Sequence, residues 1–423
     1  MTANLMFQPA QARQLQTCIH CGLCLPSCPT YMVTGREADS PRGRLVLINS
    51  IDRYEWSDRS GHFVHIDRCL GCLACESACP SGVPYGSLLE QVRLFQRREV
   101  APLKLGGRAI LRWTTAPVLR RRLTRLLAWL QKLRLDRLAV RLRLLPRPLR
   151  MQLAGLPRLP AKSFTAAAEQ RFGPHHPEGI HRETVALFAG CVMDSWFANV
   201  HAATVRVLQW NGYTVIVPAG QQCCGALHAH AGIDTATGAN AERVGDMSAF
   251  SQTGAAALIV NSAGCGAHLK HAAAADGLPQ VVDAAEWLVD NGLLPPAHKL
   301  PEKVTYDAPC HLFHAQNIIH QPEALLRAAC ENLIPLPESE VCCGSAGLYS
   351  LTEPDLSRQI LGRKLAMLKK VDAEIVTTAN PGCQMQIQGG LKLDGQRRQV
   401  RHTIEILDAA YSLDETYRRV FAE

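Results

Sequence analysis

The 423-residue sequence has no apolar run long enough to cross a bilayer, and stretches such as Ala255–Val260 fall far short of the ~20 residues a spanning helix needs. Its first residues, MTANLMFQPAQARQLQ, lack a basic leader followed by an apolar core, so no secretory signal and a cytoplasmic location are expected. It has no G-x-G-x-x-G after a strand-like run and no P-loop lysine, so hydride chemistry on a nucleotide cofactor is not expected here. Charge is sparse at 19% against 47% hydrophobic residues, a balance that excludes both a disordered chain and a multi-span membrane protein. Cysteine is too dilute for a disulfide scaffold, but the 17 present are grouped in tight motifs. In a reducing compartment that grouping favours metal over disulfide.

What charge there is lies unevenly. The net charge is +8, yet residues 101–150 alone hold twelve Arg and two Lys against one Asp, a net +13 that leaves −5 for the rest. At ~150 residues per domain the length implies two or three domains. Composition and motifs divide the chain into a cysteine-held domain at 1–100, a Leu/Arg-rich helical insert and Pro-rich linker at 101–180, and two repeats at 181–300 and 301–423.

Cys18, Cys21, Cys24 and Cys28 are followed by Pro29, and Cys69, Cys72, Cys75 and Cys79 by Pro80. Both are the C-x₂-C-x₂-C-x₃-C-P run that binds [4Fe–4S] clusters, in which three close thiolates wrap one cubane and the fourth reaches the other. That rule assigns one cluster to Cys18, Cys21, Cys24 and Cys79, and the second to Cys69, Cys72, Cys75 and Cys28. C-x₂-C pairs also bind zinc, but two four-cysteine runs with a trailing proline favour iron–sulfur. Two clusters brought close by crossed ligands suit one-electron relay, and the two-electron donor then belongs on another subunit, a flavoprotein.

The second half repeats itself. Cys191, Cys223-Cys224-Gly225 and Cys265 recur as Cys310, Cys342-Cys343-Gly344 and Cys383, at offsets of 119, 119 and 118 residues. The cysteines follow β-prone runs (Val185–Phe188, Tyr213–Val217, Leu258–Val260, Val304–Tyr306, Glu374–Thr378), with helical patterns such as Ala202–Trp210 and Leu361–Lys370 between them. Strand–helix alternation predicts parallel sheets whose ligands gather at the C-terminal strand ends. The fold class expected is α+β overall: an α-helical ferredoxin-like domain with two clusters, then a duplicated α/β domain. Adjacent cysteines cannot both point inward from a strand, so each pair is expected in a loop or at a helix start. The eight repeat cysteines, Cys191, Cys223, Cys224, Cys265, Cys310, Cys342, Cys343 and Cys383, either hold further iron–sulfur or zinc centres or are buried small residues kept by packing. His268 is a candidate fifth contact to the first set. His228, His230, His311 and His314 lie near the cysteines as candidate proton carriers or ligands, with ordinary polar roles the alternative. Cys330, inside the helical pattern 324–333, reads as a core residue.

The stretches CIHCGLCLPSCPTY, SPRGRLVLI, DRCLGCLACESACPSGVPYG, QQCCGALHAH, NSAGCGAH, APCHLFHAQ, VCCGSAGLYSLTEPDLSRQI, TTANPGCQMQI and VRHTIEIL together resemble the family of glycolate oxidase (glycolate dehydrogenase) iron–sulfur subunits over nearly the whole chain, least so at 101–165. The resemblance implies an electron-transfer subunit that oxidises no substrate by itself. FAD-containing partner subunits would convert glycolate to glyoxylate, and the electrons would pass to a membrane quinone. Related glycerol-3-phosphate and lactate dehydrogenase complexes share the layout. The repeats also resemble those of heterodisulfide reductase subunits, which end in C-x-x-C. Here Cys265 is followed by His268 and Cys383 by Gln386, which counts against the alternative function of a heterodisulfide-reductase-like thiol–disulfide reductase, and that chemistry is not carried over.

In the basic segment, Leu119, Leu123, Leu126, Leu127, Leu130 and Leu133 recur at helical spacing over 117–136, with Arg120, Arg121, Arg125 and Lys132 off the stripe and Trp129 at its edge. Two readings stand: peripheral contact with the cytoplasmic face of the inner membrane, or a helix packed on the repeats with a solvated arginine face. Nucleic acid is not expected, because aromatic interleaving and a recognisable fold are missing. Arg42 and Arg44 face the clusters, the flavoprotein, or only solvent at a helix start.

Overall fold

The computed structural model describes residues 7, 9–53, 60–234, 247–272 and 278–422. Helices Pro29–Thr34, Pro41–Arg53, Ser60–Asp67 and Tyr85–Phe95 surround an N-terminal core in which Ile48, Ile66, Leu88 and Val92 are fully buried. The helix Pro41–Arg53 begins where the turn signal Ser40-Pro41 places it: proline has the φ of a first helical residue, and Ser40 Oγ accepts the Gly43 N–H at 3.0 Å.

The repeats form two sheets. In the first, β1 (Gln170–Phe172), β2 (Thr184–Phe188), β3 (Thr214–Val217), β4 (Ala257–Val260) and β5 (Gln280–Asp283) take the order β1-β3-β2-β4-β5, parallel except for the antiparallel edge strand β1. In the second, β6 (Leu300–Tyr306), β7 (Cys330–Ile334), β8 (Ile375–Thr377) and β9 (Gln399–Arg401) are all parallel in the order β7-β6-β8-β9. The order β3-β2-β4-β5 maps onto β7-β6-β8-β9, so the duplication read from cysteine offsets is a duplication of topology. Strands buried on both faces read as continuous apolar runs, as β4 does with all four residues buried. Cys330 departs from the expected helix: the helix His320–Ala329 stops one residue before it, and Cys330 opens β7 in extended conformation, 2% exposed. Helical and strand periodicity cannot be told apart over so short an apolar stretch.

One hydrogen-bonded line joins the repeats. His201 Nε2 bonds the Ala189 carbonyl at 3.0 Å, its Nδ1 meets Asn261 Nδ2 at 3.1 Å, and the Asn261 carbonyl meets His402 Nε2 at 2.8 Å. Burial pushes both imidazoles down to about 4. The unfolded chain protonates them near 6.5, so between those values the unfolded state binds more protons and stability falls as pH falls. Denaturant unfolding should lose roughly 1 kcal/mol per imidazole by about pH 5.5. The variant His402→Asn should flatten that profile, and an unchanged slope would count against the assignment.

The basic segment is bound to the repeats through its polar side. The pattern read as one helix over 117–136 is two, Pro117–Lys132 and Leu135–Arg141, broken at Arg134, whose φ is 58°. Arg120 is 6% exposed and donates from Nε to Ser195 Oγ at 2.9 Å and from a terminal nitrogen to the Thr114 carbonyl at 2.7 Å. Thr124 Oγ1 accepts from Trp196 Nε1 at 3.1 Å. The helix is thus packed on the repeats, as one of the two readings has it, with Arg121, Arg122, Arg125 and Lys132 in solvent; Arg120 alone of its arginines is buried, and Leu119, Leu126, Trp129 and Leu133 are exposed beside the cations. Further along, helix Arg147–Gly155 crosses helix Pro381–Leu393 backbone to backbone. A Cβ on Gly155 would lie 2.1 Å from the Met385 carbonyl, and one on Gly389 would lie 2.4 Å from that of Met151.

Candidate functional site

The two ferredoxin-type loops share a backbone. The third and fifth residues of each run have positive φ, His20 (55°) and Gly22 (85°) in the first, Gly71 (65°) and Leu73 (63°) in the second. Left-handed residues on both sides of the middle cysteine turn the chain about it.

Cys28 of the first run lies with Cys69, Cys72 and Cys75 of the second around one small cavity, walled also by Arg44 and Tyr85. The cavity lining holds four thiols and no carboxylate or imidazole, a soft donor set that suits iron–sulfur ligation. Burial opposes ionisation of Cys69, but the Arg44 and Arg93 guanidiniums and hydrogen bonds from Tyr85 and the Gly71 N–H outweigh it and bring the thiol below its usual value. Burial and neighbouring thiols push Cys72 and Cys75 well up. Such crowding is relieved by a bound cationic core. Of the other four, Cys18 and Cys79 both pack against the N-terminal core, and Cys21 is exposed with Ile19 (68%) and Leu23 (57%) beside it.

Arg44 and Arg42 differ in role. Arg44 is 1% exposed and donates to the His65 carbonyl at 2.7 Å, to Thr30 Oγ1 at 3.1 Å and toward Cys28 Sγ at 3.9 Å. Asp39, fully buried, lies 3.8 Å from Arg44 and 2.8 Å from His65 Nδ1. Arg42 pairs with Glu37 at 2.6 Å and bonds the His20 carbonyl at 3.1 Å, bracing the first loop from its rim.

Each repeat gathers its four cysteines at the C-terminal strand ends. In the first, Cys191 and Cys223 Sγ are 3.6 Å apart, and thiol contacts continue from Cys223 to Cys224 and on to Cys265. Hydrogen bonds from Cys191, Cys224, His228 and the Gly225 N–H hold Cys223 well below its ordinary value. In the second, contacts run Cys310, Cys342, Cys343, Cys383, with all four buried. Contact with neighbouring thiols and burial push Cys342, Cys343 and Cys383 well up. Asn380 Nδ2 donates to Cys383 at 3.5 Å and the Gly344 N–H to Cys342 at 3.4 Å. Both cysteine pairs lie in loops, as expected, with Gly225 (95°) and Gly344 (84°) following in the left-handed region. Gln386, where the heterodisulfide pattern has cysteine, is 2% exposed and donates to Ser357 Oγ at 2.9 Å, so a packing residue fills that position.

The repeats meet the N-terminal domain differently. Leu70, Cys310, Cys342, Tyr349 and Ile360 form one apolar cluster with Cys72 packed against it, and Tyr349 Oη donates to the Arg68 carbonyl at 3.0 Å. The second quartet therefore adjoins the buried cluster pocket. The first repeat is held by Arg93, which donates to the His230 carbonyl at 2.9 Å, and by Gly232, where a Cβ would lie 2.4 Å from the Arg93 carbonyl. His230 pairs with Glu90 at 3.3 Å and its ring is 5.3 Å from that of His311. His311 Nδ1 is 3.6 Å from Cys310 Sγ, and His314 bonds Ser77 Oγ at 3.0 Å. His268 is half-buried and feels both Cys223 and His230.

Sequence reasoning missed Arg93, Glu90 and the buried pair Lys364–Asp307, which stands behind Cys342 and Cys343. No local pattern marks them, since their partners are dozens of residues away.

Residues 14–83 match the 4Fe-4S dicluster domain, and residues 185–270 and 304–388 each match the cysteine-rich domain. The chain is 35% identical to the probable glycolate oxidase iron-sulfur subunit of Bacillus subtilis, with 93% of each chain covered. It is 33% identical to the glycolate oxidase iron-sulfur subunit of Escherichia coli, with 94% of each covered. Lactate utilization protein A of an Exiguobacterium species is 30% identical over 53% of this chain and 96% of its own.

Proposed function

The chain belongs to the glycolate oxidase iron–sulfur subunit family, and on that premise we propose that the oxidoreductase complex it serves as electron-transfer subunit oxidises glycolate to glyoxylate on a separate FAD-containing subunit and delivers the electrons to a quinone. The glycolate reading is preferred to lactate because the glycolate relatives are matched over nearly their full length and nearly all of this chain, the lactate relative over about half of this chain.

Cys69, Cys72, Cys75 and Cys28 would hold one [4Fe–4S] cluster, and Cys18, Cys21, Cys24 and Cys79 the other. Bound clusters supply reversible one-electron chemistry. The protein's own part is to hold thiolates in a dry pocket, to set cations against them and to exclude water. Arg44, Arg93, Tyr85 and the Gly71 N–H do this for the buried pocket. We assign Cys310, Cys342, Cys343 and Cys383 to a further iron–sulfur centre. Cys191, Cys223, Cys224 and Cys265 would hold a metal in the first repeat.

The observation that carries this reading is the single cavity shared by Cys28, Cys69, Cys72 and Cys75, pressed against Cys310 and Cys342. The full-length chain, purified without air, is expected to contain more than the eight irons of two clusters and to oxidise no glycolate until the flavoprotein subunits are added. Cys28→Ser should alter the same electron paramagnetic resonance signal as Cys72→Ser and leave the Cys21→Ser signal intact. Grouping of Cys28→Ser with Cys21→Ser would overturn the crossed assignment, and an iron count unchanged by Cys342→Ala with Cys343→Ala would empty the second repeat.

A further inference from the structure

The basic segment shows an orientation that its sequence leaves open. On helix Pro117–Lys132 the side turned to the repeats carries Arg120 and Thr124, both buried in polar contacts. Gln131 extends the same side, with its amide donating to the Pro157 carbonyl and accepting from the Leu159 N–H, each at 2.9 Å. Trp113 of the preceding helix, Leu105–Thr115, packs at 5.0 Å against Trp196, the same indole that bonds Thr124. Of the leucine stripe, Leu127 and Leu130 are half-buried, while Leu119, Leu123, Leu126 and Leu133 are turned away from the protein. Leu119 (41%), Leu126 (52%), Trp129 (55%) and Leu133 (50%) stand in solvent, as do Leu138 (47%) of the next helix and Leu142 (57%) just beyond its end.

Large apolar side chains exposed together and rimmed by polar residues mark an interaction surface. The nature of its partner follows from what surrounds it. Arg121, Arg122, Arg125, Lys132, Arg134 and Arg137 are exposed along the same two helices, and Asp136 is the one acidic residue in 101–150. Apolar side chains flanked by cations whose long stems can reach upward, with an amphipathic indole at the edge, match a headgroup layer above an acyl layer. The net +13 of this segment against −5 elsewhere would also orient the molecule toward an anionic plane. Among the described residues no helix is long and apolar enough to cross a membrane, so contact lies in the plane of the surface.

We propose that the two helices Pro117–Lys132 and Leu135–Arg141 form a membrane-surface anchor that sinks its leucine and tryptophan face into the interface of a bilayer rich in anionic phospholipid. The proposal does not depend on what the cysteines hold.

The test is co-sedimentation of the full-length protein, its clusters intact, with phosphatidylcholine vesicles with and without phosphatidylglycerol. Binding is expected to the mixed vesicles alone and to weaken as salt rises. Leu126→Glu with Leu133→Glu should reduce it by tenfold or more, while iron content and far-ultraviolet circular dichroism stay unchanged, because both side chains touch mainly solvent. Arg121→Gln with Arg125→Gln should reduce it by roughly tenfold or more, from the per-charge attraction of an anionic surface. Absence of vesicle binding by the intact protein, or binding indifferent to the glutamate pair, would overturn the proposal. So would loss of flavoprotein co-elution in the glutamate variant where vesicles are not bound, since the face would then belong to a protein partner.

Discussion

Lys364→Met should lower the unfolding free energy by about 3–5 kcal/mol, the usual result of stripping one partner from a buried ion pair. Lys364 Nζ lies 2.8 Å from Asp307 Oδ1, each side chain is 2% exposed, and the ammonium also donates to the carbonyls of Glu338 at 2.8 Å and Ser339 at 3.0 Å. Methionine fills nearly the same volume, so the loss comes from an uncompensated carboxylate and two carbonyls without their donor. Burial already pushes the Asp307 carboxyl above its ordinary value, with Lys364 opposing the rise. The double variant Lys364→Met/Asp307→Leu removes both charges and should recover most of the loss. Denaturant unfolding of the three proteins, with iron content measured in parallel, decides it. A double variant as unstable as the single would assign the effect to packing. The residue 119 positions before Asp307 is Phe188, an apolar core residue, so the first repeat has no such carboxylate. The cation behind Cys342 and Cys343 thus belongs to the repeat that adjoins the buried pocket.

Arg44→Met should move the midpoint potential of the cluster held by Cys28, Cys69, Cys72 and Cys75 to more negative values by on the order of 100 mV. Reduction adds a negative charge, and a unit charge ~5 Å away is worth roughly 3 kcal/mol at an effective dielectric near 20. At ~59 mV per tenfold for one electron this exceeds 100 mV before relaxation. The buried guanidinium is 3.9 Å from Cys28 Sγ, and its removal takes away one basic neighbour of the buried Asp39 carboxylate, 3.8 Å behind it, which keeps His65 and Arg68. The two effects have the same sign. Arg44→Lys keeps the charge and loses the fork that reaches Thr30 and the His65 carbonyl, so its potential should move little while its stability drops. A redox titration followed by electron paramagnetic resonance separates the cases. A Met variant whose curve superimposes on the parent would mean that Arg44 is a structural brace with no effect on the electronics of the pocket.

Much of the fold was legible in the sequence because its signals are covalent and local. Apolar runs bounded by turns marked the core strands β2, β3, β4, β6 and β8 to within a few residues, and the Ser40-Pro41 turn marked the helix that begins there. The difficulty came where a short apolar stretch satisfies two periods, as at Cys330, or where one pattern spans a left-handed residue, as at Arg134. The distinction between Arg42 and Arg44 was likewise invisible, since two residues apart on a helix means nearly opposite faces and the sequence does not say which face is covered.

The sequence by itself determined the cluster motifs, the duplication with its parallel sheets, and the loop placement of the paired cysteines, because each follows from spacing along the backbone. Only the tertiary structure decided that the second quartet, not the first, adjoins the Cys28, Cys69, Cys72 and Cys75 pocket, that Lys364 stands behind it, and that Leu119, Leu123, Leu126 and Leu133 of the basic segment face outward. Those outcomes depend on contacts between residues far apart in the chain, such as Lys364 with Asp307 and Tyr349 with Arg68, the latter 281 positions apart. Such contacts are set by how complete surfaces fit once the elements exist, and an amphipathic pattern names two faces without saying which one the rest of the protein will cover.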